Sequence, residues 1–182
     1  MSTDPATRKL LLAIARDVIA AAVCETPAPG VPAGIPILEE QRGVFVTLTH
    51  GGRLRGCIGR VEPRIPLAEL LPLMAVASAT QDPRFRAVTE SELDLLHIEI
   101  SLLSVPVLLT DASAIEIGRH GLMVSAHGRR GLLLPQVATD YGWNAEEFLA
   151  QTCRKAMLQE DAWKRDGATV HTFETEIIEE ET

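Results

Sequence analysis

The stretch Gly51-Gly52-Arg53-Leu54-Arg55-Gly56-Cys57-Ile58-Gly59 places one cysteine between small residues, with arginines two and four positions before it. In a strand, side chains alternate between faces. Arg53, Arg55 and Cys57 then share one face, and Leu54 and Ile58 point the other way, toward a core. The upstream segment from Gly43 to Thr49 also alternates, with Val44, Val46 and Leu48 set against Phe45, Thr47 and Thr49. His50-Gly51-Gly52 between the two runs is a tight connection, so the pair reads as an antiparallel hairpin with the thiol on its free side. A guanidinium near a thiol favours the thiolate, the nucleophilic and metal-binding form.

Outward from this hairpin the chain alternates helices with strands. Asp4-Pro5 reads as a helix start, and Leu11, Ile14, Ala15, Val18 and Ala22 recur at helical spacing as far as Cys24. Pro27 to Pro36 is rich in proline and glycine and is expected to lack regular structure. Pro66 to Thr80 is an apolar helix in which Pro72 either kinks the chain or resets the start. Gln81-Asp82-Pro83-Arg84-Phe85 ends it, with Phe85 read as a core plug and Asp82 and Arg84 either paired with each other or facing a ligand. Thr89 and Glu92 have capping-box spacing. His97 to Val105 alternates as a strand, and Pro106 closes it. Leu122–Ala126 and Leu132–Leu134 form a second hairpin around His127-Gly128-Arg129. Pro135 opens a short helix that Gly142 ends, and Asn144 and Glu147 cap the next, whose buried stripe holds Phe148, Leu149, Thr152, Cys153, Ala156 and Met157. Ala168 to Ile178 is a final strand with His171, Phe173, Thr175 and Ile177 on one side, and the tail from Glu179 is expected to be disordered.

Four of these segments resemble signatures of the AMME-syndrome candidate-region domain family, whose bacterial and archaeal branch is the AmmeMemoRadiSam system protein A group. They are Leu54–Gly59, the Asp82-Pro83-Arg84-Phe85 run with Thr89–Leu93, Ile117-Gly118-Arg119-His120-Gly121, and Gly131–Ala138. The resemblance extends from about Leu10 to about Ile178. It implies one α/β (α+β) domain over residues 1–182. The expected architecture is an antiparallel sheet with flanking helices, in two unequal lobes with a cleft between them that the cysteine motif lines. The larger lobe holds both termini and the smaller is drawn from the middle. The resemblance further implies a Memo-like protein and a radical S-adenosylmethionine enzyme as partners, without supplying a reaction. Arg60 departs from the pattern, where a small or hydroxylated residue is expected.

The chain has 182 residues, a hydrophobic content of 46% and a formal net charge of −8. Residues 131–182 carry eleven acidic and four basic side chains, while residues 51–130 carry nine of each. Counterion release favours basic proteins on nucleic acids, so this balance argues against a duplex-binding role. Arg53, Arg55, Arg60 and Arg64 face only Glu62 nearby in sequence, which reads either as an anion site or as a charged, protected strand edge. Three cysteines without a C-x-x-C pair fit a reducing cytosol, and no stretch reaches the length of a membrane span, so a soluble cytoplasmic protein is expected.

There is no P-loop, dinucleotide fingerprint, zincin motif or nucleophile elbow. Nucleophilic catalysis requires a thiolate, a base and an oxyanion site. Cys57 is the candidate nucleophile, and His120, with His50 as its rival, the candidate acid/base. Arg55, Gly56, Gly59, Asp82, Arg84 and Gln136 are the candidate substrate contacts, with backbone amides beside Gly56 or Gly59 as oxyanion donors. For each there is a structural alternative: His120 bonding loop carbonyls, Gln136 capping backbone, Cys57 packed on glycine. No metal set and no cofactor is indicated, and the oligomeric state is left open. The chain is therefore read as a cysteine-dependent enzyme acting on a small anionic substrate, or as a non-catalytic ligand- or protein-binding component of a Memo/radical-SAM-associated pathway.

Overall fold

A computed structural model of the chain describes residues 3–61 and 64–181, so Glu62 and its expected charge contact lie outside the described residues. The fold is mixed α/β, with antiparallel strands and flanking helices. Two compact units divide the chain: Met1–Leu103 with Glu176–Thr182, and Ser104–Thr175.

The first unit begins with α1 (Pro5–Val23). Asp4 accepts hydrogen bonds from the Ala6 and Thr7 amides at 3.0 and 3.1 Å, and Pro5 occupies the first turn, where a missing N–H costs nothing. Its buried stripe of Leu11, Ile14, Ala15 and Val18 packs on α3 (Leu67–Thr80), which is apolar on nearly every side. Pro72 stands inside α3 without ending it, because Leu67, Leu70, Leu71, Ala75 and Ala79 are all buried and that packing outweighs one lost backbone bond. The proline- and glycine-rich segment lacks regular structure as expected over residues 27–35, and a short helix, α2 (Pro36–Glu39), begins at its last proline and buries Leu38. Proline at its first position supplies a preset φ, and the apolar contact does the rest.

Strands β1 (Val44–His50) and β2 (Arg53–Arg60) form the expected antiparallel hairpin around Gly51 and Gly52, both at positive φ. On its other side β1 pairs with β3 (Leu96–Leu103). Residues 176–179 of β7 (Thr169–Glu179) run beside β3. Val44, Val46, Leu48, Ile98, Ile100 and Leu102 are sealed against the helices, while Phe45, Thr47, His97 and Glu99 occupy the opposite, half-buried face. The tail expected to be disordered is held at Glu180. Arg16 chelates the Glu180 carboxylate at 2.6 Å through Nε and Nη2, and that carboxylate also accepts from the Ile98 amide.

In the second unit β5 (His120–Ala126) lies between β6 (Arg129–Leu133) and β7, and the two-residue strand β4 (Val107–Leu108) also pairs with β7. Helices α4 (Pro135–Tyr141) and α5 (Ala145–Lys155) cover one face, burying Leu122, Val124, Ala138, Phe148, Leu149 and Cys153. The Asn144/Glu147 capping box is present, and Gly142 ends α4 in the left-handed region. Met157 leaves the stripe assigned to it. It sits past the helix end at φ 57° and is 76% exposed, because the chain has already turned away from the core. Gly118 makes a turn at positive φ and Gly121 lies inside β5, so the Ile117–Gly121 segment is one turn followed by one strand.

Candidate functional site

The strand reading of the cysteine segment holds at Cys57 and fails at Arg55. The register pairs Leu48 with Gly56 and then Thr49 with Leu54, so Arg55 is an extra residue, a β-bulge. The bulge breaks the alternation. Leu54, expected to face the core, is 42% exposed, and Arg55 no longer shares a face with Cys57. Its guanidinium turns to Glu92 instead, with Nε to Oε1 at 2.7 Å and Nη2 to Oε2 at 3.1 Å. It also donates to the carbonyls of Arg86 and Ala87. This fork holds the Glu92 carboxyl down at about 2. Glu92 completes the contact by accepting from the Thr89 amide, as the capping-box spacing predicts. Arg55 thus fastens the chain after α3 onto β2, and the four arginines of the sequence reading do not act as one cationic face.

Cys57 is held from the side opposite β1. Its N–H donates to Asp82 Oδ2 at 2.9 Å, and its carbonyl accepts from Arg84 Nη2 at 3.3 Å. Both backbone groups therefore point away from β1, toward the sheet edge. The carboxylate and the guanidinium take the place that a further strand would occupy, which satisfies and blunts the edge. Cys57 and Thr47, directly opposite one another, must then be a non-hydrogen-bonded pair, the kind whose Cα atoms approach to about 4.5 Å and whose side chains lie closest. The Thr47 hydroxyl accordingly donates to Cys57 Sγ at 3.3 Å. The thiol is half-buried, on the face away from the helices.

Asp82 and Arg84 are paired with each other, the first of the two alternatives. Asp82 is 5% exposed and accepts four hydrogen bonds: from the amides of Cys57 and Arg84, and from Arg84 Nε at 2.9 Å and Nη2 at 2.7 Å. The Arg84 guanidinium holds its carboxyl well below the usual carboxylate range, against the opposing effect of burial. The arginine is raised in turn, chiefly by that carboxylate, and its side chain remains 54% exposed. Nη1 of Arg84 has no hydrogen-bond partner among the described residues, so the outer edge of a fixed cation is presented beside the cysteine. Phe85 is not a core plug. It is half-buried, with the Arg84 Cζ 5.5 Å from its ring centre.

The glycines of the motif are explained by contact. A Cβ on Gly56 would lie 2.1 Å from the Ser78 carbonyl oxygen of α3, and one on Gly59 would lie 2.2 Å from the Phe45 ring. Gly56 lets helix and strand meet, and Phe45 lies over its cross-strand partner Gly59. Gly121 and Phe173 repeat that arrangement in the second unit, where the Cβ would meet the ring at 2.3 Å.

His120 and Gln136 belong to the second unit. His120 Nδ1 accepts from the Glu116 amide at 3.1 Å, closing the Gly118 turn, so the loop-bonding alternative describes that nitrogen, with an amide as its partner where a carbonyl was expected. Gln136 is exposed in the first turn of α4 and makes no hydrogen bond among the described residues, so it caps no backbone. Among the described residues no cluster of three or more His, Cys, Asp or Glu side chains is placed to hold a metal ion. No described helix is long and apolar enough to cross a membrane. The sequence reading missed Thr47 as the partner of the thiol. Its place in the Phe45-Thr47-Thr49 alternation was the available signal.

Comparison with known proteins matches residues 12–178 to the AMMECR1 domain family. A protein of Thermofilum pendens is 45% identical over 163 residues, covering 81% of this chain and 76% of its own length. Protein MJ0810 of Methanocaldococcus jannaschii is 45% identical over 152 residues, covering 79% of this chain and 76% of that one. The crystal structure of the uncharacterized protein PH0010 from Pyrococcus horikoshii superimposes with a TM-score of 0.82 at 41% identity, over 94% of this chain and 90% of that one. None of these names carries an activity.

Proposed function

The chain belongs to the AMMECR1 family, and on that premise we infer that it is a cysteine-dependent enzyme acting on a small anionic substrate. Cys57 is the nucleophile in this reading, and Arg84 holds the anionic group of the substrate beside it. The observation that carries the reading is the clamp on the Cys57 peptide. A nucleophile must be held in place to profit from proximity, and here both backbone groups are tied to Asp82 and Arg84 while the thiol keeps partial access. Arg84 replaces Arg55 in the role of cationic neighbour, because Arg55 is spent on Glu92.

One observation favours the second reading, a non-catalytic ligand- or protein-binding component. The partner of the sulfur in the first unit is a threonine hydroxyl rather than a base. In that reading the partners are a Memo-like protein and a radical S-adenosylmethionine enzyme. In either reading the protein works in the cytoplasm without nucleic acid or membrane as a partner.

Iodoacetamide labelling of the folded chain across pH, read peptide by peptide by mass spectrometry, separates the two. The catalytic reading expects Cys57 to be alkylated before Cys24 and Cys153. It also expects a screen of small anionic metabolites to show turnover by the wild type that Cys57→Ala and Arg84→Ala both lose. Labelling of Cys57 no faster than the other two thiols removes the nucleophile and leaves the binding component standing.

A further inference from the structure

The buried or half-buried carboxylates of the first unit are, among the described residues, Asp82, Glu92, Glu99, Glu176 and Glu180. Four of them are held by an arginine: Asp82 by Arg84, Glu92 by Arg55, Glu176 by Arg8 and Glu180 by Arg16. Glu99 has no cation within ion-pairing distance among the described residues. It accepts one hydrogen bond, from the Ser101 hydroxyl at 3.4 Å, long for such a contact. His97 stands two residues earlier on the same strand face, but its Nε2 lies 4.0 Å from the Glu179 carboxylate and does not serve Glu99. A charge drawn partly out of water without a partner destabilises the fold, and such charges are ordinarily paired.

The strand register sets this carboxylate in line with the cysteine. Cys57 pairs with Thr47 on β1, and Thr47 pairs on its other side with Glu99 on β3, so the three side chains form one row on the sheet face away from the helices. Two strand spacings, about 10 Å, separate the backbones of Cys57 and Glu99. The Thr47 hydroxyl gives its proton to Cys57 Sγ, so Glu99 receives nothing from its neighbour in the row. Arg84 stands on the other side of Cys57, at the outer edge of β2, where its Nη2 reaches the Cys57 carbonyl. The thiol therefore lies between a fixed cation on the edge side and an uncompensated anion on the inner side.

We propose that Glu99 binds an ammonium group of the substrate. The substrate of the Cys57 site is then a zwitterion, with its acidic group on Arg84 and its amine on Glu99, so that the two ends bracket the thiol. The inference rests on the reading of Cys57 and Arg84 as a substrate site and adds the second charge to it. An ammonium ion supplies the charge-assisted hydrogen bonds that the chain itself withholds from Glu99. A half-buried carboxylate left without a counter-ion is the kind of local instability that a binding site retains for function.

The test is a titration of the ¹⁵N-labelled full chain with ε-aminocaproate at constant ionic strength, with caproate and hexylamine as the single-charge controls. The expected result is saturable movement of the amide resonances of Thr47, Cys57, Arg84 and Glu99, with the zwitterion bound about tenfold more tightly than either control. Glu99→Gln should weaken aminocaproate binding by about tenfold and leave caproate binding unchanged. Its melting temperature should equal or exceed that of the wild type, because no ion pair is lost with the charge. Arg84→Gln should weaken aminocaproate and caproate alike. Shifts that fail to saturate, equal binding of aminocaproate and caproate, or equal binding of aminocaproate to wild type and Glu99→Gln overturn the proposal. So does a melting temperature of Glu99→Gln as low as that of Asp82→Ala, which would give the carboxylate a structural partner. Aminocaproate binding that survives in Cys57→Ala, in a protein whose Cys57 resists iodoacetamide, upholds the zwitterion site and removes the nucleophile, so the two readings fail separately.

Discussion

Replacing Asp82 by alanine tests the account of the strand edge. The substitution removes all four hydrogen bonds that the carboxylate accepts. The Arg84 head is more than half exposed and regains water, so loss of the ion pair itself costs at most about 1 kcal/mol. The Cys57 amide is different, because its acceptor vanishes where the protein covers the site. Stranding a donor in that way costs about 1–3 kcal/mol. The sum is about 1–4 kcal/mol, which in a protein of this size lowers the melting temperature by roughly 2–15 °C. Asp82→Asn retains one acceptor oxygen and should lose about half as much. Calorimetry and urea denaturation followed by circular dichroism measure both variants. The pH dependence has a definite sign. The carboxyl is depressed in the folded state, so its contribution is present above the unfolded value of about 3.9 and is lost as the pH falls below it. The gap between wild type and Asp82→Asn should therefore close in acid. A loss below about 0.5 kcal/mol in Asp82→Ala would refute the edge-capping argument, since that is the scatter of ordinary surface substitutions.

Two further outcomes follow from the same region. Glu92 is held at about 2, chiefly by Arg55 and further by the Thr89 amide, so the stabilisation it provides should be complete above about 4.5 and fall away between there and about 2; Arg55→Gln should weaken that dependence in an acid-unfolding series. Gly56→Ala should destabilise the first unit by about 3 kcal/mol or more, or prevent its folding, because the new methyl group meets the Ser78 backbone carbonyl and not a movable side chain; a melting temperature equal to wild type would show that α3 and β2 separate easily.

Much of the fold was legible because the signals that define it are local. The β1 alternation, the Gly51-Gly52 connection, the Asp4 cap and the Asn144/Glu147 box each depend on residues a few positions apart, and all four are present. The motif resemblance carried the family and the fold class. Other features were decided only by tertiary structure. The sequence showed Arg55 two residues before Cys57, but a one-residue bulge turned its guanidinium to a carboxylate 37 positions away. Asp82 and Arg84 lie 25 and 27 positions beyond Cys57, and only the packing of α3 on β2 brings them to its peptide group. The acidic tail read as a disordered charge run, yet Glu180 is fixed by Arg16 from the other end of the chain. The physical reason is common to all three cases. Periodicity reports which face a residue occupies, because one strand or helix determines it. The partner of a charged side chain on that face depends on which distant backbone the core brings alongside, and no local pattern contains that information.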